Sequence, residues 1–117
     1  MINLPKDDLR FKWTAHIKNK MLFYHISKLS VLRILKTPNR VEEGIAQNTH
    51  AAMKIQKSFG KDKKESELWL MYQVKKIPPQ KHILISTWRY PGRTKPGAPI
   101  SIPEDTLAEI DKMNKKG

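Results

Sequence analysis

Apolar and polar positions change their period along this chain, and the period separates helices from strands. Phe11 and Trp13 alternate with Lys12 and Thr14, which predicts a short strand over residues 10–16. Thr14 is then placed to cap a helix over 15–25, in which Ile17, Met21 and Tyr24 fall at i, i+4 and i+7 on one face. His16 and Lys20 share a neighbouring, more polar face. Ser27 can cap a second helix, "KLSVLRILK", whose Val31, Ile34 and Leu35 form a buried stripe while Lys28, Arg33 and Lys36 face outward. Pro38 stops it, because proline disfavours helical geometry at the residue before it.

From Arg40 onward the period becomes two. "RVEEGIAQ" reads as a weak strand, and "AAMKIQKSF" alternates Met53, Ile55, Lys57 and Phe59 against Lys54, Gln56 and Ser58. "GKDKKESE" (60–67) reads as a polar hairpin loop. "LWLMYQVKK" is a strong strand, apolar on both faces at its start; "IPPQK" turns the chain, and "HILISTWRY" is the last strong strand. "PGRTKPGAP" is a loop, and "SIPEDTLAEIDKM" a helix opened by a capping box of Ser101 and Glu104. Thr106, Leu107, Ile110 and Met113 form its thin apolar stripe. Consecutive strands joined by short polar turns imply an antiparallel meander. The expected fold is α+β: two N-terminal helices on a four- to five-stranded, mostly antiparallel sheet, plus a C-terminal helix. Residues 1–9 are an expected extension, 10–91 the domain, and 92–117 a Pro/Gly loop with the last helix.

Length and composition narrow the class. A chain of 117 residues supports one modest core. No apolar run is long enough for a transmembrane helix, and "MINLPKDDLR" lacks the basic and apolar regions of a signal peptide, so a cytoplasmic protein without a membrane partner is expected. The absence of cysteine removes disulfides, thiol catalysis and thiolate metal sites.

Charge adds a partner. The formal net charge is +12, which favours anionic polymers, phosphate backbones first among them. The excess is uneven: residues 10–40 and 71–102 contain no Asp or Glu. Two such segments folded against each other would make a positive face.

The stretch "TAHIKNKMLFYHISKLSVLRILKTPNRVEEG" resembles the opening of small bacterial and archaeal proteins of the BrnT-type toxin group, and of a related family known only as a domain of unknown function. The matching positions are His16, Lys20, Met21, Ile26, Ser27, Val31, Leu35, Pro38, Arg40 and Gly44, and "ILISTWR" resembles the last strand of that group. The likeness covers roughly residues 10–90. Many relatives carry Arg where this chain has Lys20 and Tyr24. The resemblance implies a RelE-like fold and, in the toxin branch, RNA cleavage and a neutralising antitoxin protein.

Metal-independent RNA cleavage by 2′-hydroxyl attack needs a base, an acid, and cations to stabilise charge on phosphorus. His16 at the first helix start and Arg89 and Tyr90 at the end of the last strand are the candidate catalytic residues. Neighbours in a strand face opposite ways, so Arg89 and Tyr90 share a groove only if the strand ends there, and Arg89 is the stronger candidate. Lys20, His25, Arg40, Lys54, Arg93 and Lys95 are candidates for holding RNA phosphates, with Arg93 and Lys95 acting through charge. His50 and His82 read as loop and strand-edge residues without chemistry, and Trp13, Trp69 and Trp88 as core. No His pair stands at metal-ligand spacing, and no phosphate-binding or dinucleotide motif occurs, so no metal and no cofactor are expected. The expected partners are RNA, including ribosome-associated mRNA, and an antitoxin, with the protein a monomer or homodimer. A non-catalytic nucleic-acid-binding module, or a domain meeting an acidic protein, fits the same charge.

Overall fold

Thr14 is where strand becomes helix. In the computed structural model its Oγ1 accepts from the Ile17 amide at 3.2 Å, capping the first helix, and reaches the carbonyls of Leu84 and Ile85 at 3.0 Å each. One side chain therefore starts a helix and ties it to a strand far along the chain. The structure describes residues 4–43, 46, 48–57, 64–76, 78–95 and 97–115. Within them lie β1 (Phe11–Trp13), α1 (Ala15–Tyr24), α2 (Lys28–Lys36), β2 (Arg40–Glu43), β3 (Thr49–Lys57), β4 (Glu65–Lys75), β5 (Lys81–Pro91) and α3 (Glu104–Lys115). None of the described helices is long and apolar enough to cross a membrane.

The element order follows the periodicity, and the fold is α+β as expected. Helix α1 ends at His25, whose left-handed backbone (φ 56°) lets its N–H return to the Met21 carbonyl. Ser27 caps α2 by accepting from the Ser30 amide. Parts of the expected elements at 44, 45, 47, 58–63 and 77 fall outside the described residues.

The sheet corrects one expectation. It is a five-stranded mixed sheet in the order β1-β5-β4-β3-β2, not a mostly antiparallel one. β2 to β5 form the antiparallel meander, but β1 pairs parallel to β5, with Phe11 opposite His82 and Trp13 opposite Leu84. The reason is the two-helix crossover. It carries the chain from one sheet edge to the other, and the meander then walks back until β5 closes on β1.

A second correction concerns residues 65–67. They belong to β4, not to the expected loop, and Glu67 is fully buried. Charge argues for a loop, but this carboxylate has partners inside. It accepts from the Trp69 indole at 3.1 Å and from the Thr94 amide at 3.0 Å. In α3, helical geometry starts at Glu104; the Thr106 and Leu107 amides bond the Pro103 carbonyl, and the exposed Ser101 lies before the helix.

The sheet is buried on both faces, which is why β4 and β5 are apolar on consecutive positions. Ile17, Met21, Val31 and Ile34 of α1 and α2 meet Ala52, Leu68, Leu70 and Leu84 on one face. Ile110 of α3 and half-buried Ile100 and Ile102 meet Met53, Trp69, Met71, Ile85 and Trp88 on the other. Trp69 and Trp88 are register partners and stack at 6.1 Å. Replacing Thr14 by Ala removes a helix cap and a strand tie together, whereas Ser27→Ala removes a cap alone. Urea denaturation is expected to show a loss of about 2 kcal/mol for Thr14→Ala against about 1 kcal/mol for Ser27→Ala.

Candidate functional site

Strand alternation would put Leu84 and Trp88 on one face of β5. They face opposite ways, because the register slips between Met71 and Tyr72 of β4: Met71 pairs with Ser86 but Tyr72 with Leu84. The extra residue, Ile85, reverses the parity of everything before it. His82 thereby comes to the face that carries Tyr72.

The result is a transverse row of side chains at one end of the sheet. Phe11 of β1 lies 5.8 Å from His82 of β5, His82 lies 5.8 Å from Tyr72 of β4, and Tyr72 stacks on His50 of β3 at 5.4 Å. Glu43 of β2 is the register partner of His50 and brings a carboxylate oxygen within 3.7 Å of its Nδ1. All four rings are half-buried. The row thus crosses every strand.

Clefts adjoin both ends of it. A cleft of about 570 Å³ is lined by Glu43, Asn48, His50, Val74, Lys76 and Gln80. One of about 400 Å³ is lined by Arg10, Phe11, Leu32, Leu35 and Lys36. The Arg10 guanidinium lies 5.6 Å from the centre of the Phe11 ring. Lys75 and Lys81 are register partners one position beyond Val74 and His82.

The row has its own electrostatics. Burial and the neighbouring charge of His50 push the His82 imidazole below the ordinary histidine value. Burial and the Glu43 carboxylate push the Tyr72 phenol above its ordinary value. At neutral pH, His82 is therefore a free base and Tyr72 a hydrogen-bond donor.

The expected site residues lie elsewhere and in separate places. His16 and Lys20 share a cleft of about 420 Å³ between α1 and α3. There Nε2 of His16 is 3.5 Å from Thr106 Oγ1, itself 2.8 Å from Ser86 Oγ, and Lys20 is ion-paired with Asp105. Partial burial would raise the Asp105 carboxyl, but the bonded Lys20 ammonium outweighs it and holds Asp105 below its ordinary value. Arg89 is at the far end of α1, donating to the Tyr24 carbonyl at 3.0 Å and to Gln56 Oε1 at 2.8 Å. Eight helical steps, about 12 Å, separate His16 from Tyr24. Tyr90 packs against the opposite core, since β5 runs on to Pro91 and alternation holds.

Lys54, Arg40 and Arg93 are tied into the scaffold. Lys54 donates to the Thr37 carbonyl at 2.8 Å, at the end of α2, where its charge also suits the helix dipole. Arg40 donates to Glu42 Oε1, Thr94 Oγ1 and the Ala98 carbonyl and lies over the Trp69 ring. Arg93 approaches Glu65 and the buried Glu67 at 3.7 and 3.8 Å. Arg40 and Arg93 thus meet where Glu67 pins the loop after β5. His25 and Lys95 are exposed, His25 as the helix terminator. The sequence reading passed over His50, Tyr72, His82 and Glu67. The available signal was an unusual one: polar rings inside otherwise apolar strands.

No protein-family model, curated protein or solved structure matches this chain.

The sign of the His82 shift makes its neutral form part of stability. That contribution is full above the ordinary histidine value and is lost as pH falls through the lower folded-state value. Ring-proton NMR is expected to give His82 a midpoint below about 6.5. His50→Gln is expected to move it upward, though not fully, because burial is the larger cause.

Proposed function

We propose that this protein binds single-stranded RNA across the Phe11–His82–Tyr72–His50 row and cleaves it without a metal, as a cytoplasmic toxin-type ribonuclease of the BrnT and RelE kind. The observation that carries the reading is the row itself: four half-buried rings on four adjacent strands, with cation-bearing clefts at both ends. Single-stranded RNA offers unstacked bases, and sheets that bind it use rings as stacking platforms beside cations that follow the phosphates. Cations for the backbone are at hand. Arg10, just before β1, Lys12 on it, and Lys28, Arg33 and Lys36 on the outer side of α2 are exposed. The cations that hold helix ends and loops (Lys20, Arg40, Lys54, Arg89 and Arg93) are engaged with protein partners, so affinity rests on this other set. An acidic protein partner would need the charge but not the rings.

The test is fluorescence anisotropy with labelled single-stranded RNA over a salt series. Phe11→Leu and Tyr72→Leu keep apolar volume but remove the stacking surface. Each is expected to weaken binding about 5- to 160-fold, from about 1–3 kcal/mol per stacked base, with the circular dichroism spectrum unchanged. Affinity is expected to fall steeply with salt. Binding that ignores both substitutions would remove the row from the interface, and a protein without RNA affinity at physiological salt would end the proposal.

A further inference from the structure

We propose that His82 and His50 are the general base and general acid of an RNA-cleaving centre built over Tyr72. This rests on the RNA reading above and assigns its chemistry to residues outside the α1–α3 cleft. In-line attack on a phosphodiester puts the attacking 2′-oxygen and the departing 5′-oxygen on opposite sides of phosphorus. A base and an acid must then flank the phosphate. His82 and His50 flank Tyr72 from the two neighbouring strands, 5.8 and 5.4 Å from its ring centre. A phosphodiester lying between His82 and His50, beside the Tyr72 hydroxyl, would present one oxygen to each imidazole.

The two imidazoles are not equivalent. His50 faces the Glu43 carboxylate across β2 and β3 and opens onto the 570 Å³ cleft. A carboxylate beside one imidazole nitrogen orients the ring. His82 packs between Phe11 and Tyr72, where no carboxylate contacts it among the described residues. Its environment favours the neutral form. The enclosed ring of His82 takes the base role, and His50, held by Glu43 at the open cleft, takes the acid role.

The step balances. The 2′-hydroxyl gives its proton to neutral His82 as the O2′–P bond forms. The P–O5′ bond breaks, and protonated His50 gives its proton to O5′. The products are a 2′,3′-cyclic phosphate and a free 5′-hydroxyl, and solvent exchange restores both imidazoles. The Tyr72 phenol, kept protonated by its surroundings, is a donor for the charge on the non-bridging oxygens, and the Arg10 and Lys76 cations stand near the two ends of the row for the flanking phosphates.

The experiment is single-turnover cleavage at saturating protein, so that rates report chemistry and not affinity. It compares the unaltered protein with His50→Gln and His82→Gln on ordinary RNA and on RNA carrying a single 5′-bridging sulfur, whose thiolate leaves without a proton. On ordinary RNA each variant is expected to lose about 100-fold or more in rate. The sulfur substrate is expected to restore His50→Gln and leave His82→Gln slow. Thermal melts equal to that of the unaltered protein show that both variants fold; His50→Asn and His82→Asn serve if either Gln variant does not. Rates within about tenfold of the unaltered protein, rescue of His82→Gln instead, or rescue of neither overturns the assignment. An unaltered protein that binds RNA but leaves it intact also overturns it while the binding reading stands; one that does not bind overturns both.

Discussion

β5 has no free side. It is paired on both edges, antiparallel to β4 and parallel to β1, and packed on both faces. Everything else in the molecule is arranged by that constraint. The crossover through α1 and α2 has to deliver the chain to the far edge so that the meander can return to β1. Thr14 has to bond the β5 carbonyls while it caps α1. Helix α3 and the loop before it have to cover the face that α1 and α2 leave open, and they do so with Ile100, Ile102 and Ile110 over Trp88 and its neighbours.

The same constraint explains where the cations go. A strand buried on both faces brings polar backbone ends close to apolar surface, and long basic side chains close those ends. Arg89 bonds the last carbonyl of α1, and Lys54 does the same for the carbonyl after α2. Arg40 and Arg93 converge on the loop that Glu67 holds from inside the sheet. Their charge counts toward the net +12, yet their donors already have partners. A charge total therefore names the kind of partner and cannot name the residues that meet it.

The row of rings was hard to see for a geometric reason. Sequence motifs run along the chain, whereas Phe11, His82, Tyr72 and His50 run across it, one per strand. Each looks unremarkable in its own segment, and His50 and His82 read as loop and strand-edge residues. The bulge at Ile85 hides them further. Counted by strict alternation His82 sits with Trp88, and only the slip in register turns it toward Tyr72. The placement of His16 with Lys20, by contrast, was legible as a one-turn spacing on a helix. What that spacing could not say is that Thr106 and Asp105 of α3 would cover it.

The sequence by itself determined the elements. The change of period from 3.6 to two, Thr14 and Ser27 as caps, and Pro38 as a stop are local matters of backbone sterics and hydrogen bonding, and both N-terminal helices stand where those signals put them. It also marked the start of β4 as apolar on both faces, though not that α3 would cover the second one. The tertiary structure decided the parallel partner of β1, the burial of Glu67 and the assembly of the row. Each of these depends on which segments become neighbours across the sheet, a pairing set by how the whole core closes and not by any residue's own preference.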